Sequence, residues 1–228
     1  MTDSRTDLAR MVGAYDRRGR RWYRLLAPPL PLVANPRERR LPPPGAGQRG
    51  LMLGGAGQAA PAQYVNVDIA AVPGVHVVAD GARLPFPDEA FDLIECDAVL
   101  EHVRRPPDVV SELQRVLRPG GLLHVVVPFN HPFHAYPNDY HRWTSVALQE
   151  ALAPLTIVDA GVRTGPAATW LLYTIQFVKL LVPGPPGKAA GALACWVLWP
   201  LRYLDYLFYG TTRAHVLANS IYVLARRD

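Results

Sequence analysis

The period of the apolar positions changes twice along this chain. From Asp7 to Ala27 the residues Leu8, Met11, Val12, Tyr15, Trp22, Leu25 and Leu26 recur at helical spacing, with Arg10, Arg17, Arg18, Arg20, Arg21 and Arg24 between them. That spacing predicts a basic amphipathic helix. Pro28-Pro29 ends it, and a stretch to Gly50 containing Pro31, Pro36 and Pro42 to Pro44 predicts a linker, because proline removes a backbone donor and fixes φ. Beyond Gly50 the pattern turns to short apolar runs at 51–53, 63–67, 75–78, 91–95 and 122–128, separated by turn residues. Near-continuous apolar runs of this length predict a parallel sheet buried on both faces. Between Asp97 and Pro119, Val99, Leu100, Val103, Val109, Leu113, Val116 and Leu117 follow a helical rhythm, and Pro119-Gly120-Gly121 predicts a stop and a turn. Strand, helix, strand is the unit of an α/β fold.

Two later runs, 155–162 and 216–225, predict further strands separated by some fifty residues, too long a gap to lack structure. Two apolar segments fill it, Gly165 to Val182 and Ala189 to Tyr209, divided by the breaker at 182–188, and predict a helical hairpin. The longest uncharged run of the second segment, Ala189 to Leu201, has 13 residues, and Gln176 and Lys179 interrupt the first, against about 20 for a bilayer span. The hairpin is therefore expected to form extra core or a pocket wall, or to meet a membrane at its interface.

Composition sharpens this in two respects. The chain has 228 residues, 50% hydrophobic and 19% charged, enough apolar material for one α/β domain with an appendage. Residues 1–50 hold eleven Arg against four acids, more surplus than the net charge of +5 of the whole chain, so the basic character belongs to the N-terminal arm. No signal-peptide core follows Met1, and Cys96 and Cys195 have neither metal-binding nor redox spacing, so a cytoplasmic setting is expected. Nucleic acid is not an expected partner, and oligomeric state is left open. The arm is expected to pack over the pocket or to touch a membrane.

Candidate chemistry begins at LMLGGAGQ, 51–58, a strand running into a glycine-rich turn that lets a ligand approach the backbone. YVNVDI, 64–69, ends a second strand on Asp68, whose carboxylate can accept from both hydroxyls of a ribose. The interval from Gly54 to Asp68 is 14 residues, shorter than the roughly 20 of a dinucleotide fingerprint, and Pro61 shortens any intervening helix. A dinucleotide relies on that helix to hold its pyrophosphate; S-adenosylmethionine has ribose and adenine but no phosphate. Each acid also has a bland reading, in which Asp68 or Asp80 caps a turn and Asp92 is structural.

The ordered series LMLGGAGQ, YVNVDI, VVADGARLPFPDEAFDLIECDAVLEHV and ELQRVLRPGGLLHVVVPF resembles the class I S-adenosylmethionine-dependent methyltransferases, particularly small bacterial ones that modify glycans or lipids. The resemblance implies a Rossmann-like, mostly parallel seven-stranded sheet with helices on both faces and an antiparallel strand near its end, occupying residues 50–228 with the hairpin inserted at 165–210. It implies that Gly54, Gly55 and Gly57 border the methionine part of the cofactor, that Asp68 holds the ribose, that Asp80, Gly81 and Ala82 lie beside the adenine, and that Asp97 closes the site. Met52 and Ala56 depart from the pattern, standing where the family has a polar residue and a glycine.

After the fifth strand comes NHPFHAYPNDYHRWT, 130–144. In the resembling family a similar loop covers the acceptor side, which makes Asp139, Tyr140 and Arg142 substrate-side residues. An oxygen acceptor needs a base, for which His134, His131 and His102 are candidates. The bland alternative is that Asp139 and Arg142 brace the loop while the histidines stay solvated. A metal site of His131, His134, Asp139 and His141 is set aside because Pro132 and Pro137 interrupt the spacing, and no metal is expected. The expected activity is methyl transfer to a small-molecule, glycan or lipid-linked acceptor, at oxygen; the alternative is a non-catalytic methyltransferase-like scaffold at the membrane surface.

Overall fold

The computed structural model describes residues 29–56, 58, 60–135 and 137–228; the N-terminal helix expected over 7–27 and the site residue Gly57 lie outside the described residues. Seven strands form one sheet: β1 (Gly50–Leu53), β2 (Tyr64–Asp68), β3 (Val77–Val78), β4 (Phe91–Asp97), β5 (Leu117–Pro128), β6 (Thr156–Thr164) and β7 (Ser220–Arg226). Their order is β3-β2-β1-β4-β5-β7-β6. The first five pair in parallel, while β7 enters antiparallel between β5 and β6. Strand order reverses between β1 and β4, so a crevice opens beyond their carboxyl ends, where ligands of open α/β sheets bind.

The central strands are buried because their sequences are apolar on both faces. Leu123, Val125 and Val127 of β5 pack with Leu51, Ile94 and Val223 in the main core, each contributing about 1.5–3 kcal/mol relative to exposure. Helix α1 (Pro106–Val116) turns Val109, Val110, Leu113 and Val116 into that core. The helical rhythm starting near Val99 is broken, because Pro106 cannot sit inside a helix: a 3-10 turn spans Leu100–His102 and α1 begins afresh at the proline. The stop expected at Pro119-Gly120-Gly121 is absorbed into β5, where the register against β4 shifts and Gly120 adopts φ 77°. Among the described residues the connections between β1 and β4 contain no helix.

Helix α2 (Ser145–Ala151) is capped by the Thr144 hydroxyl, which accepts from the Ala147 N–H. The predicted hairpin is present as α3 (Pro166–Leu181) and α4 (Pro185–Leu198), followed by a 3-10 segment over Trp199–Leu207. The breaker is shorter than expected: Pro185 and Pro186 occupy the first positions of α4, which need no N–H donor, and Gly184 at φ 76° makes the turn. Asp205, fully buried, accepts from the Ala167 and Ala168 N–H groups at 2.7 and 3.2 Å and so caps α3 from another element. One face of the hairpin packs inward through Leu171, Ile175 and Cys195; the other leaves Trp170, Tyr173, Phe177, Leu180, Leu193 and Trp196 about half exposed or more. Extra core therefore accounts for only one side. Among the described residues no helix is long and apolar enough to cross a membrane.

The proline-rich stretch runs as a strap along β6. Asn35 donates its side-chain amide to Val162 O at 2.8 Å, and its N–H to Arg163 O at 2.8 Å. Glu38 is buried against His124 of β5 at 3.1 Å and against Arg163. Burial alone would raise its carboxyl, but His124 and Arg163 outweigh that and hold it below the usual carboxylate range. Tyr209 donates to Val33 O at 2.6 Å, tying the strap to the end of the hairpin segment.

Candidate active site

At the carboxyl ends of β1, β2 and β4 a cleft is walled by Leu53, Ile69, Val99 and Val103, with Gly54, Asp68, Asp80 and Gly81 supplying backbone and carboxylates. The first turn is made as its glycines demand. Gly54 has φ 72°, and a Cβ there would overlap Val99 Cγ2 across the cleft. The next positions are less relaxed: Ala56 has φ 44° and Ala98 φ 55°, conformations that side chains with a Cβ adopt at a cost.

Asp68 is buried and accepts from the Ala56 N–H (3.1 Å) and the Ala70 N–H (2.9 Å), so it shapes the glycine turn as well as facing the cleft. Each carboxylate oxygen retains a second lone pair for a hydroxyl donor. Asp80 stands exposed at the rim, accepting from the Ala82 N–H at 2.9 Å. Thus both acids cap turns and also line the cleft. Asp92 is structural, accepting from the Arg49 N–H and from Arg118.

Other expected cofactor residues fall elsewhere. Gly55 and Ala82 are not on the cleft wall, and Asp97 faces Arg163 of β6 at 3.8 Å, leaving its neighbours Ala98 and Val99 to form the wall. Burial pushes the Asp97 carboxyl up, with Arg163 pulling against it.

The loop after β5 meets the cleft at Pro137, beside His102 of the 3-10 turn. Asp139 accepts two bonds from the Arg142 guanidinium at 2.5 and 2.6 Å and one from the His134 N–H at 2.9 Å. Burial would raise this carboxyl; Arg142 and the His134 amide bring it down to about 2. Arg142 also donates to His131 O, Pro132 O and His141 O, so this pair braces the whole loop. Tyr140 is exposed beneath Arg104, its ring centroid 5.6 Å from the guanidinium.

The histidines are not left solvated by that brace. His102 and His134 approach with ring centroids 5.0 Å apart and His134 and His131 at 4.6 Å, all partly buried. Their hydrogen bonds assign the tautomers. His102 Nδ1 lies 2.5 Å from Asn138 O, and His134 Nδ1 3.2 Å from Pro132 O. Asn219 donates its amide to Asn130 O, so its Oδ1 accepts from His131 Nδ1 at 3.0 Å. In each ring Nδ1 carries the hydrogen and Nε2 the lone pair. Burial pushes the His131 imidazole below its ordinary value, favouring the neutral ring. Beneath them lies Glu101, fully buried, with Oε1 3.8 Å from His102 Nε2 and 3.7 Å from His134 Nε2. Its place beside His102 was legible, but nothing in the local sequence marks its burial.

A family profile described as a methyltransferase domain matches residues 45–125, which contain β1, β2, β4 and most of the cleft wall. Over residues 45–125 the chain is similar to methyltransferase domains. The chain is 37% identical over 84 residues to the ubiquinone/menaquinone biosynthesis C-methyltransferase of Azotobacter vinelandii, covering 37% of this chain and 33% of that protein. It is 45% identical over 51 residues to an uncharacterized methyltransferase of Mycobacterium tuberculosis, covering 22% and 20%. The chain thus spans about a third or less of the curated relatives it matches. Among solved structures, the [4+2]-cyclase SpnF superposes with a TM-score of 0.52 at 20% identity over 79% of this chain and 75% of that one, a likeness of fold. S-adenosylmethionine is the cofactor of such domains, and the cleft suits it: apolar walls suit a purine, and Asp68 and Asp80 present acceptors to hydroxyl and amino groups.

Proposed function

We propose that this chain transfers a methyl group from S-adenosylmethionine to an oxygen of a lipid-linked or otherwise apolar acceptor. The observation that carries the reading is the adjoining of two sites: the Gly54–Asp68–Asp80 cleft shares its wall, at His102 and Pro137, with the histidine-bearing loop. The cofactor supplies an activated methyl group; the chain's residues orient it and the acceptor and exclude water. Asp68 positions the ribose, Gly54 admits the methionine portion, and the lone pairs of the His102, His131 and His134 rings favour loss of the acceptor's proton.

The apolar acceptor class is supported by the exposed face of α3, which presents Trp170, Tyr173, Phe177 and Leu180. With eleven Arg in residues 1–50, an anionic membrane surface fits as the place where the acceptor is met. Liposome co-sedimentation tests this: Phe177→Ser with Leu180→Ser should reduce binding, and unchanged binding by the folded variant would sink the membrane contact. Calorimetric titration with S-adenosylmethionine and S-adenosylhomocysteine tests the core reading, with saturable binding expected and loss in Asp68→Ala. Folded protein that binds neither would instead favour the non-catalytic scaffold, for which the strained Ala56 in the cofactor turn is the supporting observation. Product analysis would separate oxygen from carbon, since one relative is named a C-methyltransferase.

A further inference from the structure

We infer that Glu101, His102 and His134 form a binding site for one divalent transition-metal ion on the acceptor side of the cleft. One ligand atom from each residue lies within 4.8 Å of the others. Glu101 is 0% exposed, and neither of its carboxylate oxygens has a hydrogen-bond partner among the described residues. A buried carboxylate without a donor is costly and calls for a cation. In the neutral rings the contacts of Nδ1 with Asn138 O and Pro132 O leave each Nε2 as a lone pair turned toward Glu101. Two imidazole nitrogens and a carboxylate oxygen then converge on one point.

The Glu101 Oε1 separations of 3.8 and 3.7 Å are too long for hydrogen bonds. Ligand atoms about 2.0–2.2 Å from a common metal stand roughly 3–3.5 Å apart, so small rotations of two side chains close the site. Both rings also have the outer contacts that metal-bound histidines show, with Nδ1–H turned to a backbone carbonyl and, for His134, Asp139 Oδ2 at 3.5 Å. Two imidazoles and one carboxylate suit zinc, iron(II), manganese or cobalt rather than calcium. The set differs from the four-residue set considered from spacing, because Glu101 arrives from the 3-10 turn after β4 and not from the loop.

Because His102 also forms the cleft wall, the ion's free positions would face the acceptor, where a Lewis acid binds and polarises an oxygen. That role rests on the methyltransferase reading and, with the His102 and His134 lone pairs on the ion, leaves His131 to take the acceptor's proton; ion binding itself does not rest on it. The test is titration of untagged, chelator-stripped full-length protein with cobalt(II), followed by its visible absorption, and with zinc by calorimetry. One ion per chain is expected, with His134→Ala and His102→Ala each weakening it at least about tenfold. His134→Ala should still bind S-adenosylhomocysteine, which reports that it is folded. Absence of saturable binding at millimolar zinc, or equal affinity in wild type and both variants, would overturn the site. Asp68→Ala should lose S-adenosylhomocysteine and keep cobalt, so failure of the cofactor reading and failure of the metal site are separately visible.

Discussion

Gly54→Ala is the most direct probe of how the cofactor cleft is built. The substitution adds one methyl group at φ 72°, where an alanine costs about 1–2 kcal/mol, partly offset by a gain of roughly 0.4–1 kcal/mol from the stiffer unfolded chain. The same methyl overlaps Val99 Cγ2, the opposite wall of the cleft. Relieving that overlap by moving Val99 costs about 1–3 kcal/mol, the usual range for overpacking. The single variant should therefore lose about 2–3 kcal/mol in urea denaturation. Val99→Ala alone removes two methyl groups from a half-buried site and should cost about 1 kcal/mol. In the double variant the overlap disappears and only the φ cost and the lost packing remain, so its loss should fall about 1–2 kcal/mol short of the sum. Calorimetry should show the same coupling, S-adenosylhomocysteine weakening more in Gly54→Ala than in the double variant. Additivity within about 0.5 kcal/mol would refute the claim that these two residues oppose one another across the site.

Asp205→Asn keeps one acceptor for the exposed end of α3 but sets an amide NH2 against the Ala167 or Ala168 N–H, and should cost about 1–3 kcal/mol by thermal or urea denaturation. Gly165→Ala would push the same carboxylate aside, since its Cβ would overlap Asp205 Oδ1; the two variants combined should lose much less than their sum, and strict additivity would count against the cap. Asp139, brought down to about 2 in the folded chain from about 3.9 when unfolded, contributes stability that is fully present above the unfolded value and is lost as pH falls through that window. Partial exposure of Arg142 limits the contribution to about 1–2 kcal/mol; Asp139→Asn should flatten the decline in stability between about pH 4 and pH 2, and an unchanged slope would contradict the brace.

What the sequence discloses here depends on how local the cause is. The strands of the first half, the glycine turn and Asp68 are legible because apolar run length and turn chemistry act within a few residues, and the antiparallel β7 follows from the resemblance. Pro106 was visible too, yet apolar rhythm on both sides of it hid the division into a 3-10 turn and α1. The strap is illegible in principle: proline content reports only that the stretch cannot be helix or central strand. What makes it structural is the pairing of Glu38 with His124, 86 residues along the chain, and with Arg163, 125 residues along it. His124 is the trace of that contact in the sequence, a lone polar residue within LLHVVVP whose burial demands a partner. The hairpin shows the opposite limit: nearly uniform hydrophobicity fixes that helices form but not which side is covered, and only Asp205 and the small residues facing inward decide it. Glu101 combines both problems. Its charge suggests a surface, its neighbour His102 suggests the site, and the loop that brings His134 to it is 33 residues away; three groups that each read as ordinary become a ligand set only when β4, the 3-10 turn and the braced loop are assembled. A carboxylate left without a donor in such a place is the feature that sequence cannot show and that packing makes chemically consequential.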